Sequence, residues 1–317
     1  MPLDPPLQAI VDALAGARDA EPPADLDERR RQSNQTMLLI AQPRGEGVVA
    51  TDHVVPVAGG EISVRVLQPA RSDGDGPLPA FFSLHGGGWF QGDLDTAEVE
   101  AGPMAGDLGC VTVLPDYRLA PEHPFPTPLD DSVAAYEWMV ANADALGIDL
   151  DHVVVGGQSA GANLAAALAL VVHGRGLHQP AAQLLDVPAL DHTMSSPSMQ
   201  TESEGGLSGD EVRQFSEWYL DGHDPKDPLA SPLWAEDVSG LPPTVVLVAE
   251  LDPVRDDGER WVAKLHEAGV PAAGIRVQAQ MHGGWIIPVS LTSRLIPELR
   301  RHVLREAFAG TLVPGFA

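Results

Sequence analysis

Apolar and polar positions alternate with a period of two over Val48–Val57 and again over Glu61–Gln68, with Ala58-Gly59-Gly60 between them. Two half-buried strands joined by a tight turn have that pattern, so an antiparallel hairpin is predicted. Beyond it the apolar residues gather in short runs at Ala80–Leu84, Cys110–Leu114, Val153–Gly156, Ala181–Val187, Thr244–Ala249 and Gly274–Ala279. Between most of these runs the spacing changes to that of helices, at 97–108, 130–145, 160–173 and 256–268. Continuously apolar strands alternating with helices indicate an α/β fold whose largely parallel sheet is covered on both faces. The two leading strands and the six that follow make eight.

Two stretches leave this rhythm. Residues 7–20 read as a short amphipathic helix ended by Pro22 and Pro23, and a charged helix follows from Asp25 to about Leu39. Between about Ser195 and Leu220 a Ser-, Glu- and Gly-rich segment runs into a helical one, as an insertion before the seventh strand. Residues 1–45 and this insertion at about 195–220 are expected to form a small helical cap on a main domain spanning 46–317.

The net charge of −26 over 317 residues excludes the basic footprint that nucleic acid requires and disfavours anionic membrane surfaces. Of the 19 basic residues only Lys226 and Lys264 are lysine. Cys110 is the only cysteine and sits in a buried-strand pattern, so it is expected to be a core thiol. Met1-Pro2-Leu3-Asp4-Pro5-Pro6 has no basic stretch ahead of an apolar one, and the longest apolar run, around Ala162 to Val172, is too short to span a bilayer. A cytoplasmic location without membrane association is expected.

The chemistry concentrates at two glycine-rich turns. Val153-Val154-Val155-Gly156-Gly157 is a strand entering a tight turn, Ser159 sits at the turn, and Ala160-Gly161-Ala162-Asn163 opens a helix. Such an elbow exposes a serine hydroxyl beside a helix N-terminus, whose unpaired N–H groups favour negative charge. The same stretch lacks the G-x-G-x-x-G spacing of a dinucleotide site. Upstream, His85-Gly86-Gly87-Gly88-Trp89 follows the strand Phe81–Leu84, and its glycines allow backbone N–H groups to face a ligand. Gly86 and Gly87 are expected to form an oxyanion hole with Ala160, and His85 to orient the loop.

A serine nucleophile needs a base, and the base needs an orienting carboxylate. Asp252 lies just past the strand Thr244–Ala249, with Glu250, Asp256 and Asp257 as competitors. His282 lies just past the last strand, whereas His266 and His302 fall within helical patterns. His152, His173, His178, His192 and His223 show no metal-ligand spacing, so neither a metal nor another cofactor is expected. Trp89, Gln158, Trp218 and Gly284 are candidates to line a substrate pocket; Trp89 could instead pack the floor, and Trp218 with Tyr219 could pack a cap helix.

Taken together, His85-Gly86-Gly87-Gly88, Gly157-Gln158-Ser159-Ala160-Gly161, Asp116-Tyr117-Arg118-Leu119-Ala120-Pro121-Glu122-His123-Pro124-Phe125-Pro126 and Asp252-Pro253-Val254-Arg255-Asp256-Asp257-Gly258 resemble the hormone-sensitive-lipase-like (bacterial family IV) esterases of the α/β-hydrolase superfamily. The resemblance runs over nearly the whole chain. It implies Ser159, Asp252 and His282 as a triad, Gly86, Gly87 and Ala160 as the oxyanion hole, and the Tyr117–Pro126 segment as a buttress of the site floor. It also implies short- to medium-chain carboxylic esters as substrates and a possible homodimer. A lactone or bulky natural ester, an amide, or a non-catalytic small-molecule receptor on the same scaffold are the alternatives. Three positions depart from the family pattern: Gln158 replaces a frequent acid, Ala162 a common glycine, and Gly284 the phenylalanine that usually follows His-Gly. The last is expected to widen the pocket or loosen the His282 loop.

Overall fold

The structure is a computed structural model of the chain, describing residues 2–18, 25–70, 76–200 and 206–313. The helix break at Pro22 and Pro23 and positions 201–205 of the expected insertion lie outside the described residues. Among the described residues one sheet of eight strands forms: β1 (Val49–Val57), β2 (Gly60–Gln68), β3 (Leu78–Leu84), β4 (Val111–Pro115), β5 (Ile148–Gln158), β6 (Ala182–Asp186), β7 (Thr244–Leu251) and β8 (Ala272–Met281). Their spatial order is β1-β2-β4-β3-β5-β6-β7-β8. The predicted hairpin pairs β1 with β2, β2 runs antiparallel to β4, and every pairing from β4 to β8 is parallel.

Strand periodicity divides the core into two layers. Phe82, Val113, Val155 and Val246 face one side of the sheet, and Phe81, Leu114, Val154 and Val245 face the other. On the first side lie α4 (Thr127–Ala141), α6 (Ala160–Arg175) and α8 (Arg255–Glu267), which contribute Tyr136, Leu164 and Trp261. On the second lie α3 (Leu94–Leu108) and α9 (Leu291–Phe308), which contribute Met104 and Leu304. The expected helix 130–145 divides at Asn142 into α4 and the single turn α5 (Ala143–Leu146). Helix α3 starts ahead of its apolar pattern because Asp93 and Thr96 form a capping box, the Thr96 N–H donating to Asp93 Oδ1 at 2.8 Å. Strand β5 extends ahead of its apolar run: Ile148 is buried, but the stretch between it and Val153 is not and carries Asp149 and Asp151.

Three helices stand apart from these layers. Helix α1 (Pro5–Arg18) buries Leu7 and Val11, with Leu3 just ahead of it, against Leu251, Met281, Ile287 and Val289. Helix α2 (Leu26–Leu38) sends Arg30 to the Phe90 carbonyl at 2.6 Å and to Glu122 Oε2 at 2.6 Å. Between β6 and β7, α7 (Gly209–Leu220) stacks Tyr219 on Trp89 with ring centroids 4.7 Å apart. The carboxyl ends of β3, β5, β7 and β8 thus open toward loops that α1, α2 and α7 touch, which is where open parallel sheets place their ligands.

Candidate active site

Ser159 joins β5 to α6 with φ 55° and ψ −116°, a left-handed backbone that a non-glycine residue adopts only under constraint. Its N–H donates to the Asp186 carbonyl at 2.8 Å. A Cβ on Gly157 would fall on the Leu84 carbonyl oxygen, and one on Gly161 would fall on the Leu84 and His85 carbonyl oxygens. The elbow can therefore be this tight only because both positions lack a side chain.

The loop after β3 is held from behind. Tyr117 stacks on His85 at 4.2 Å and donates its hydroxyl to the His85 carbonyl at 2.8 Å. Burial pushes the His85 imidazole down to about 4, so the ring is neutral. Gly87 has φ +116°, and a Cβ there would meet the Gln91 carbonyl. Of the two loop donors expected from the sequence, Gly86 is otherwise engaged: its N–H donates to both carboxylate oxygens of buried Glu100, each at 3.2 Å. The N–H groups of Gly87, Gly88 and Ala160 make no hydrogen bond among the described residues. The expectation that the Gly86 N–H faces the substrate is therefore corrected: Glu100 engages it, while the Gly88 N–H has no such partner among the described residues. Burial raises the Glu100 carboxyl to about 8, against the opposing pull of the Gly86 N–H and Arg300. Arg300 in turn lies with its Nε 2.8 Å from Asp186 Oδ2.

Ser159, His282 and Asp252 meet at the strand ends. His282 Nε2 is 2.8 Å from Ser159 Oγ, and His282 Nδ1 is 2.8 Å from Asp252 Oδ2. Asp252 is fully buried, and its Oδ1 accepts the Val254 N–H at 3.0 Å. Each competing carboxylate is engaged elsewhere. Glu250 accepts from Ala279 N–H, Asp256 from Ser198 N–H, and Asp257 from the N–H groups of Leu190 and Asp191 and the Ser196 hydroxyl. His266 sits 2.6 Å from the Ala272 carbonyl, far along α8 from this cluster.

The pocket candidates separate. Trp89 is 2% exposed, stacked beneath Tyr219, with Nε1 donating to Asn163 Oδ1 at 3.3 Å, so it packs the floor. Gln158 turns back on the His282 loop, its amide nitrogen lying where a Cβ on Gly283 would project. Trp218 sits edge-on to Phe90 at 5.2 Å. Gly284 opens no space, which corrects the expectation of a wider pocket: Leu7 of α1 covers it, and a Cβ at 284 would come within 2.8 Å of Leu7 Cδ2. Sequence reasoning missed Glu100, Leu7, Phe215 and Arg29. Phe215 lies over Gly88, and the Arg29 guanidinium stands over Phe90, Phe215 and Trp218 at 5.0, 5.5 and 5.6 Å. No local motif marks any of the four.

A serine hydroxyl raised on a strand-to-helix elbow, facing an imidazole from a loop after the last strand, is the construction of α/β-hydrolase enzymes. The family described as alpha/beta hydrolase fold matches residues 81–286. An arylesterase of Saccharolobus solfataricus is 32% identical over 311 residues, spanning 97% of this chain and 100% of that one. Carboxylic ester hydrolase LipN of Mycobacterium tuberculosis is 36% identical over 327 residues, spanning 96% of this chain and 84% of its own. The solved structure of a bacterial heroin esterase superposes with a TM-score of 0.88 at 30% identity, covering 96% of this chain and 98% of that one. The chain belongs to the α/β hydrolase fold family, as a carboxylic ester hydrolase of its hormone-sensitive-lipase-like branch. No described helix is long and apolar enough to cross a membrane.

Proposed function

We propose that the chain is a serine carboxylesterase that hydrolyses short- to medium-chain esters through an acyl-enzyme on Ser159. The observation that carries the reading is the unbroken relay from Ser159 Oγ through His282 to Asp252, with 2.8 Å at each link. As Ser159 Oγ bonds to the ester carbonyl carbon, its proton passes to His282 Nε2, while Asp252 accepts from Nδ1–H and holds the imidazole in that orientation. The carbonyl oxygen takes the negative charge and receives hydrogen bonds from the N–H groups of Gly87, Gly88 and Ala160. Collapse breaks the bond to the alcohol oxygen, which leaves with the proton from His282. Water then gives its proton to His282 and attacks the acyl carbon, releasing the carboxylic acid and restoring the Ser159 hydroxyl.

In this reading α2 and α7 form the cap over the site, joined by the Arg29 guanidinium against Phe215 and Trp218. A homodimer fits β8, which among the described residues is paired only with β7. A cytoplasmic location fits Cys110, a buried unpaired thiol. Light scattering that finds a monomer would remove the dimer, and cell fractionation tests the location.

The test of the function is hydrolysis of p-nitrophenyl esters of graded acyl length, with Ser159→Ala in parallel. The substitution is expected to lower kcat by about 10³-fold or more. Full activity without the serine hydroxyl would overturn the assignment, and a preference for long acyl chains would overturn the substrate range.

A further inference from the structure

The sheet alone does not carry its regular geometry as far as Asp252 and His282. The ladder between β7 and β8 slips between Ala249 and Leu251, and Ala279 takes a left-handed backbone with φ 55°. The last pair beyond the slip, Leu251 with Met281, immediately precedes the two residues whose separation matters. Beyond the slip a single strand pair remains, so packing from outside the sheet bears directly on where that end sits.

Helix α1 is packed on that end. Leu3, Leu7 and Val11 are buried against Leu251 and Met281, the neighbours of Asp252 and His282, and against Ile287 and Val289 just downstream. Two polar contacts fix the helix start in register: the Asp4 N–H donates to the Ala279 carbonyl at 2.9 Å, and the Gln280 side-chain N–H donates to Asp4 Oδ2 at 3.2 Å. Leu7 also covers Gly284, where a Cβ would lie 2.8 Å from Leu7 Cδ2, 3.1 Å from Gln280 Oε1 and 3.2 Å from Met281 Cγ. The helix is thus keyed to the His282 loop by a side chain from one partner and a missing side chain in the other.

We propose that α1 is a positioning element for the acid–base pair, with Leu7, seated on Gly284, setting where His282 stands between Asp252 and Ser159. The proposal rests on the roles given to those three residues above. Helices α2 and α7 instead reach Phe90, through Arg30 and Trp218.

The test is a set of variants assayed on one p-nitrophenyl ester, with Ser159→Ala alongside and thermal melts to confirm folding at the assay temperature. Leu7→Ala is expected to lower kcat by about tenfold or more while KM stays within about twofold, because the chemistry loses alignment and the substrate does not lose its pocket. Leu7→Met, similar in volume and flexible, is expected to restore wild-type kcat. Gly284→Ala leaves the helix intact but crowds Leu7, and is expected to lower kcat as well. The Leu7→Ala, Gly284→Ala double variant is expected to exceed both single variants, since the new methyl fills part of the space the leucine vacates. Wild-type kcat in Gly284→Ala, a loss confined to KM in Leu7→Ala, or losses that multiply in the double variant would each overturn the proposal. Because Gly284→Ala removes nothing from the core, its result stands even if Leu7→Ala fails to fold. Activity surviving in Ser159→Ala would instead overturn the underlying reading of the site, and with it the role of α1.

Discussion

Both carboxylate oxygens of Glu100 lie 3.2 Å from the Gly86 N–H, so a buried acid on α3, not a substrate, occupies the first donor of the glycine loop. The consequence is a link between loop and pH. The folded protein holds the Glu100 proton up to about 8, while its ordinary value is 4.5. Between those two values the folded state keeps a proton that the unfolded chain has released, so stability falls as pH rises through the window. Glu100→Gln retains an oxygen to accept from Gly86 and has nothing to ionise. Its melting temperature is therefore expected to gain on the wild type's as pH rises from about 5 to about 8. Parallel curves from melts across that range would contradict the assignment.

Asp252 has one oxygen on His282 and the other on a backbone N–H, and it is fully buried. Asp252→Asn keeps the shape but offers an amide where the imidazole needs an acceptor for Nδ1–H. An asparagine that presents its nitrogen forces the other tautomer, which leaves Nε2 protonated and unable to take the Ser159 proton. We expect kcat to fall by about 10³- to 10⁴-fold with an unchanged circular dichroism spectrum. A loss of only a few-fold in steady-state kinetics would point to another carboxylate.

Gly87 combines a φ of +116° with a backbone carbonyl, that of Gln91, where a Cβ would project. Gly87→Ala must rotate the peptide and take the donor out of line. The expected cost is about 10²- to 10³-fold in kcat, since the hole acts on the charge that develops in the transition state. Steady-state kinetics showing a change in KM alone would remove Gly87 from the hole.

The sheet and the three residues at its carboxyl edge were legible because each leaves a local trace. Strand runs are apolar, the elbow demands glycines at 157 and 161, and Asp252 and His282 each fall just past a strand. The choice among Gly86, Gly87 and Gly88 left no such trace. Three identical residues are distinguished only by which N–H meets Glu100, and that is decided by the packing of α3 against the loop. Gly284 misled for a similar reason: a glycine in sequence reads as a gap, and only the tertiary fold shows that Leu7 fills it. Phe215 and Arg29 were unreadable because their contacts join helices that lie far apart along the chain.

The contacts of Gly157 and Gly161 with the carbonyls of Leu84 and His85 bind the turn of the proposed nucleophile to the loop proposed to receive the oxyanion. Neither can shift without carrying the other, so the two halves of the reaction centre travel as one piece of backbone. Adaptation to a new ester would then have to come from the periphery. In a directed-evolution library, randomising Arg29, Phe215 and Trp218 should yield altered acyl selectivity in active clones, whereas randomising 157–161 should yield chiefly inert protein.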